Sequence, residues 1–258
     1  MTTPDHPTLS RRRRTQRWLE FLLLYTFLPA LLAAAVDPQG RLHDALRALG
    51  LGLLVDIADK RPGVLIFPIL IASTALIVTF LIFDKSFDRS TLWGWRRAKP
   101  ALPRILSLWA LNAALLLGAT WLLCYHTSVL PKEAFLRLPR EIPLLLLAIW
   151  LLYPIWSAFP QEITHRVFFY HRYAALIPNR TALLITNAAA FSWMHALFWN
   201  IPALIMTFFG GLFFAWTYQR SRSALAAGIE HALYGNWVFT TGLGWFVYAG
   251  SINADIPR

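Results

Sequence analysis

The sequence predicts an all-α fold: a polytopic integral membrane bundle of about seven to eight transmembrane helices. Of its 258 residues, 57% are hydrophobic and only 14% are charged, whereas an ordinary soluble domain has roughly 25% charged residues. The mean hydropathy is +0.49. Aromatic residues make up 15% of the chain, and in apolar chains they concentrate where hydrocarbon meets headgroups. This composition excludes a soluble globular enzyme.

Long uncharged segments define the predicted spans, because about 20 apolar residues in a helix cross the hydrocarbon core. Four segments qualify by length: 21–36 with its flank from Trp18, 64–83, 105–125 and 142–160. The uncharged run 181–219 is too long for one span, and Asn200 and Pro202 interrupt it, which predicts two helices. The last run, 223–250, gives a base count of seven. Within the loop 37–63, residues 45–57 are consistent with a short interfacial or re-entrant helix.

Basic residues indicate how the chain crosses the membrane. An arginine run at 11–14 opens the first span, but no clear cleavage site follows it, so this leader is interpreted as a retained signal anchor. With the N-terminus inside, basic residues on inner segments outnumber those on the opposite side by about two to one. We therefore expect a multi-pass protein of the cell (inner) membrane with a cytoplasmic N-terminus.

The predicted organisation has four parts. A basic cytoplasmic tail at 1–17 precedes N-terminal transmembrane helices at 18–160, a catalytic-type core at 161–250 and a short tail at 251–258. The net charge of +11 lies in the loops, where it favours anionic lipid headgroups over nucleic acid as a partner. The single cysteine, Cys124, excludes an intrachain disulfide framework or a multi-cysteine zinc site.

Ionisable side chains within membrane segments are costly, which makes them functional candidates. Here they cluster in the C-terminal half, in three predicted helices. Glu162 and Arg166 share one helix face, and alone they would form an ion pair at the membrane edge. His195 lies in an uncharged run, and Glu230 with His231 lies in the last span. Three such helices together predict a polar functional site.

The residue types in this site suit amide hydrolysis. A carboxylate in a partly dry pocket can act as a general base toward water, and a neutral histidine can position that water. A second histidine and an asparagine amide can donate hydrogen bonds to an oxyanion. Two histidines and a carboxylate are also a catalytic zinc set. The residues alone leave both chemistries open.

Three motifs carry a resemblance to a known family. They read QEITHR at 161–166, FSWMH at 191–195, and a third that begins at His231. The set resembles the CAAX protease and bacteriocin-processing family of intramembrane endopeptidases, whose motifs are E-E-x-x-x-R, F-x-x-x-H and H-x-x-x-N. The resemblance covers 161–240. It implies cleavage of a peptide or membrane-protein substrate without an obligatory metal, with zinc as the second choice.

The same resemblance implies the roles of the site residues. The glutamate of the first motif and His195 would activate water, while His231 and the asparagine would stabilise the oxyanion. Two positions depart from the pattern. Gln161 replaces the first glutamate, which leaves Glu162 as the only carboxylate of that motif.

The second departure is in the third motif. Gly235 stands at its fourth position and Asn236 follows one residue later, so the asparagine is rotated by about 100° on a regular helix. Tyr234 is an alternative donor. The expected catalytic residues are Glu162, His195, His231 and Asn236, with Gln161, Arg166, Glu230 and Tyr234 in support.

Two other functions remain open at this stage. In one, the protein is a catalytically inactive membrane protein of the same fold, with a transporter, immunity or scaffold role, and Gln161 marks the lost activity. In the other, Glu162 and His165 form half of a carboxylate di-metal site. Helix rise places His195 about 21 Å and His231 about 10 Å from the inner face. We expect tilt, a shifted helix start or a broken helix to bring the two together.

Overall fold

The computed structural model describes residues 9–60 and 62–248, and all the regular secondary structure in these ranges is helical. The polytopic helical bundle predicted from composition is confirmed. The short tail predicted at 251–258 and the first eight residues of the basic tail lie outside the described residues. The division into four parts stays a prediction.

Seven long helices form the bundle. They are α1 (Arg11–Ala35), α2 (Pro62–Phe83), α3 (Trp95–His126), α4 (Pro143–Leu176), α5 (Arg180–Phe198), α6 (Ile201–Ser221) and α7 (Ala224–Thr241). Within the described ranges, α1 to α6 are long and apolar enough to cross a membrane. The polar residues Glu230, His231 and Asn236 lower the hydropathy of α7, which the other helices largely bury. The predicted number of spans therefore roughly agrees with the structure.

Shorter helices occupy the connections. They are His43–Ala48, Gly52–Lys60, Ser90–Trp93 and Arg137–Glu141, with 3₁₀ turns at Lys132–Ala134 and Leu243–Val247. The first two replace the single short helix expected at 45–57. Their buried side chains Leu46, Val55 and Ala58 pack with the C-terminal end of α1 and with Leu197 of α5. This loop therefore covers the end of the bundle near the break in α5.

The helix α4 changes its winding twice. It is π-helical at Pro154–Ala158 and again at Ile163–Phe168, with α-helical turns between and around these segments. Pro154 and Pro160 lack a backbone N–H and crowd the preceding turn, which disturbs the regular hydrogen-bond ladder. Single π-helical turns often mark functional sites. Here they flank Glu162 and alter which face of α4 each side chain occupies.

The centre of the bundle is α7, which packs against α3, α4 and α6. The residues of its first turns are small, and the alanines among them are fully buried: Ala224, Ala226, Ala227 and Gly228. Small residues let membrane helices approach closely. The neighbouring hairpin of α5 and α6 is equally tight, because a Cβ at Gly211 would lie 3.1 Å from the Ala188 backbone. These contacts hold α4, α5 and α7 together around one site.

Ion pairs fix the C-terminal part of α4 to its neighbours. Arg172 binds Glu20 of α1 through two hydrogen bonds, of 2.8 and 2.7 Å. His171 Nε2 lies 2.9 Å from Asp84 Oδ2 at the end of α2. This contact lowers the pKa of the Asp84 carboxyl to about 2. The pair stabilises the fold above the ordinary carboxyl pKa, and that stabilisation is lost as the pH falls toward 2.

Replacing Gly242 with alanine is expected to lower the unfolding free energy by about 1–3 kcal/mol. Gly242 ends α7 with φ +110°, and an added Cβ would overlap the Ala134 carbonyl. Thermal melting of the purified protein in detergent measures the loss. Gly118→Ala is the control, because nothing lies within 4 Å of a Cβ there. Equal melting temperatures for the two variants would contradict this account of Gly242.

Candidate active site

Glu162, in the middle of α4, lies between the guanidinium group of Arg166 and the imidazole ring of His231. Its carboxylate is fully buried, and Oε2 is 3.3 Å from Nε of the equally buried Arg166. On the other side Oε1 is 2.8 Å from His231 Nδ1. Burying a carboxylate is favourable only when it is paired and hydrogen-bonded. The shared helix face predicted for Glu162 and Arg166 therefore does produce an ion pair, and α7 adds the third member.

The ring of His231 has both nitrogens engaged. An ionised carboxylate only accepts hydrogen bonds, so Nδ1–H donates to Glu162 and Nε2 of the neutral ring accepts. The Tyr153 hydroxyl lies 2.9 Å from Nε2 and is therefore the donor. Phe214 stacks on the imidazole with ring centroids 4.5 Å apart. Carboxylate, imidazole and phenol thus form a continuous hydrogen-bonded chain from α4 through α7 and back to α4.

His195 lies where α5 stops being an α-helix. The regular part ends at Met194, a 3₁₀ turn covers His195–Phe198, and Trp199 has a left-handed φ of 53°. Nδ1–H of His195 donates to the Phe191 carbonyl at 2.7 Å. In the neutral ring Nε2 is then the basic nitrogen, with a free lone pair. A broken helix was one of the three ways in which His195 and His231 were expected to reach the same depth in the membrane.

Phe191 brings the two histidines into one site. Its ring centroid lies 4.7 Å from that of His195 and 5.5 Å from that of His231. The guanidinium of Arg166 sits over the same ring at 4.5 Å, a cation–π contact that helps hold a buried charge. The phenylalanine of the second motif is therefore the packing centre of the site.

A cavity of about 280 Å³ opens on this arrangement. Helices α3 to α7 all contribute to its wall, and most of its lining is apolar, notably isoleucine, methionine and phenylalanine side chains of α6. Its polar lining residues are Asn112, Tyr153, His195, Thr207, His231 and Tyr234. An apolar cavity with a few convergent polar groups is the usual form of a site for a small segment or ligand.

Other predicted site residues are placed elsewhere. Asn236 is buried and donates to the Trp150 carbonyl at 3.2 Å, and it is not among the residues that line the cavity. Gln161 donates to Ser157 at 2.9 Å. Tyr234 does line the cavity, where its hydroxyl accepts from Asn112 at 3.1 Å.

Glu230 forms a separate buried polar group. It lies beside Thr217 of α6, whose hydroxyl accepts a 2.8 Å hydrogen bond from Arg104. Because Glu230 and His231 project about 100° apart on the helix, the glutamate faces α3 and α6 while the histidine faces α4. The supporting role expected for Glu230 stays a prediction.

The described side chains around this cavity do not form a closed set of metal ligands. Among the described residues, no three histidine, cysteine, aspartate or glutamate side chains lie close enough to hold one ion. A zinc site would need Glu162 as its carboxylate, yet both oxygens of that group already face Arg166 and His231. His165, which with Glu162 was expected to form half of a di-metal site, instead contacts Thr164.

Tyr153 was not predicted from the sequence. No motif contains it, and it lies nine residues before Glu162 on a helix whose winding changes between them. One signal was available, namely Gly235, the residue that leaves an open space one turn after His231. A Cβ at Gly235 would overlap the ring and hydroxyl of Tyr153, so the phenol fills that space.

Fold and site together define a multi-pass membrane protein in which helices α3 to α7 enclose a largely apolar cavity lined by two histidines. Residues 143–238, which include all three motifs, match the family model "Type II CAAX prenyl endopeptidase Rce1-like". The resemblance to the CAAX protease and bacteriocin-processing family is thereby confirmed over this segment, a little over a third of the chain. The match supports an intramembrane protease that acts on a peptide or protein substrate. No curated protein and no solved structure matches the chain.

Proposed function

We propose that this protein is an intramembrane endopeptidase that hydrolyses a peptide bond in a membrane-associated protein or peptide. One observation carries the proposal: His195 and His231, from separate helices, line one cavity, and Glu162 of a third helix contacts His231 from outside that cavity. Contact between two of these residues alone could be explained by helix packing. The three together are the groups that a hydrolase uses: a buried ionised carboxylate, a histidine bonded to it, and a second histidine with a free nitrogen.

His195 acts as the general base in this proposal. Its Nδ1–H is held by the Phe191 carbonyl, so Nε2 accepts a proton from a water molecule in the cavity. The water oxygen attacks the carbonyl carbon, and the carbonyl π electrons move onto oxygen. When the tetrahedral intermediate collapses, the C–N bond breaks and the imidazolium returns the proton to the leaving amine. The products are one carboxylic acid and one amine.

Glu162 acts through His231, as a positioning residue. Because Arg166 and His231 already engage its two oxygens, the carboxylate fixes the orientation and tautomer of the imidazole. A buried carboxylate has the same function in serine hydrolases. This assignment gives the single carboxylate of the first motif a role without rotating it into the cavity.

The cavity suits a substrate that is itself in the membrane. Its apolar wall from α6 accepts aliphatic or aromatic side chains or a lipid chain, while its polar end holds the scissile bond. The proposed location is the cell membrane, with the N-terminus in the cytoplasm, which the distribution of basic residues favours. A prenyl group on the substrate is compatible with this wall but is no part of the hydrolytic step.

Mass spectrometry of peptide termini tests the function. Membranes and secreted material from cells expressing the wild type should contain new termini, and these should vanish with Glu162→Gln at matched expression. Gln161→Glu is the informative companion, since Gln161 is half-buried and its side-chain amide donates to Ser157. Termini that appear with Gln161→Glu alone would show that the natural protein is an inactive relative. No change with any variant would favour the transporter or scaffold role.

Cleavage is expected to continue in the presence of a chelator. The proposed steps use side chains alone, and the described residues offer no closed ligand set for zinc. Initial rates of the purified protein before and after dialysis against EDTA should agree within about twofold. Loss of activity that returns on adding zinc would instead support the zinc alternative, with His195 and His231 as ligands.

A further inference from the structure

The donor expected from Asn236 is missing from the cavity, because that amide is bound to the Trp150 carbonyl. Hydrolysis of an amide needs at least one hydrogen-bond donor at the position where the oxyanion forms. His231 does not supply one in its resting form, since its Nδ1–H is bound to Glu162 and its Nε2 accepts. The proposed function therefore requires a donor from another residue.

We infer that the Tyr153 hydroxyl is this donor, and that Tyr153 is a catalytic residue contacting the oxyanion. The inference rests on the proposed function. Three features carry it: the phenol lines the cavity, its oxygen is 2.9 Å from His231 Nε2, and its ring fills the space above Gly235. Packing of the ring on Gly235 thus fixes the position of the hydroxyl group beside His231.

The step needs only a change in where one hydrogen bond points. In the resting site the O–H of Tyr153 donates to His231 Nε2. As negative charge forms on the carbonyl oxygen, the hydroxyl turns about its C–O bond and donates to that oxygen. No proton leaves the phenol, and on collapse of the intermediate the hydrogen bond returns to His231.

The structure also explains why residue 235 is glycine. Any side chain at this position would overlap the ring and hydroxyl of Tyr153. Gly235 and Tyr153 are therefore a matched pair: the space that a residue one turn after His231 would occupy is filled from α4 instead. An amide introduced at 235 in the absence of the phenol should reach the same region.

Tyr153→Phe tests the inference, because it keeps the ring and removes only the donor. The substrate is a synthetic peptide spanning the cleavage site that wild-type membranes reveal. We expect kcat to fall by about 10²–10³-fold, the usual effect of removing one oxyanion donor, with KM and the melting temperature little changed. Tyr125→Phe, on the exposed side of α3, is the matched control and should retain wild-type kcat.

A second variant separates catalysis from packing. Tyr153→Ala should be as slow as Tyr153→Phe and less stable, whereas Tyr153→Ala with Gly235→Asn should recover at least tenfold of the lost kcat. Wild-type kcat in Tyr153→Phe would overturn the role of Tyr153 and leave the proposed function standing. If wild-type membranes produce no cleavage at all, the proposed function fails and the role of Tyr153 fails with it.

Discussion

Replacing His195 with alanine should abolish measurable peptide cleavage, a loss of at least about 10²–10⁴-fold, while the helical bundle remains folded. The imidazole offers the free basic nitrogen that can take a proton from water, because His231 is bonded at both of its nitrogens. It makes one backbone hydrogen bond and lines an open cavity. Its removal should therefore affect the rate far more than the stability.

Initial rates on the mapped peptide, together with thermal melting in the same detergent, separate these two effects. His126→Ala is a matched control, since His126 is an exposed residue at the end of α3. It should keep both the rate and the melting temperature. A His195→Ala protein that still cleaves at more than a tenth of the wild-type rate would remove this residue from the role of base.

Motif spacing predicted which residues meet, because each motif occupies a separate helix and the helices are neighbours. Glu162 and His231 are in direct contact, and Phe191 joins them to His195. The membrane class and the helical fold likewise followed from hydropathy alone, since a bilayer admits few other arrangements. These features depend on composition and order along the chain, which a single sequence contains.

Predictions that depended on the direction of one side chain were less informative. Asn236 was expected near His231, but a single residue rotates the direction on a helix by about 100°, and the amide points to Trp150. Tyr153 was not expected, because the π-helical turns of α4 shift its register relative to Glu162. Periodicity arguments assume 3.6 residues per turn, so they fail where winding changes. Such changes occur here next to the site.

Replacing Arg166 with methionine is expected to cost about 3–5 kcal/mol of unfolding free energy, the range for breaking a buried ion pair by removing one partner. Arg166 and Glu162 are both fully buried at 3.3 Å. Methionine keeps much of the length against the Phe191 ring but leaves the carboxylate without its cation. His231 would then be its remaining partner.

The double variant Glu162→Gln with Arg166→Met distinguishes charge from packing. It removes both charges, so most of the stability lost in Arg166→Met should return, as measured by unfolding titrations in mixed micelles. Cleavage should stay absent, because a glutamine amide does not fix the orientation and tautomer of His231 as the carboxylate does. Arg96→Met, an exposed substitution in α3, controls for the loss of one positive charge.

If Arg166→Met melts like the wild type, the buried ion pair does not determine the stability of the site. If the double variant recovers both stability and cleavage, the Glu162 carboxylate has no part in the reaction, and its contact with His231 only holds α4 and α7 together.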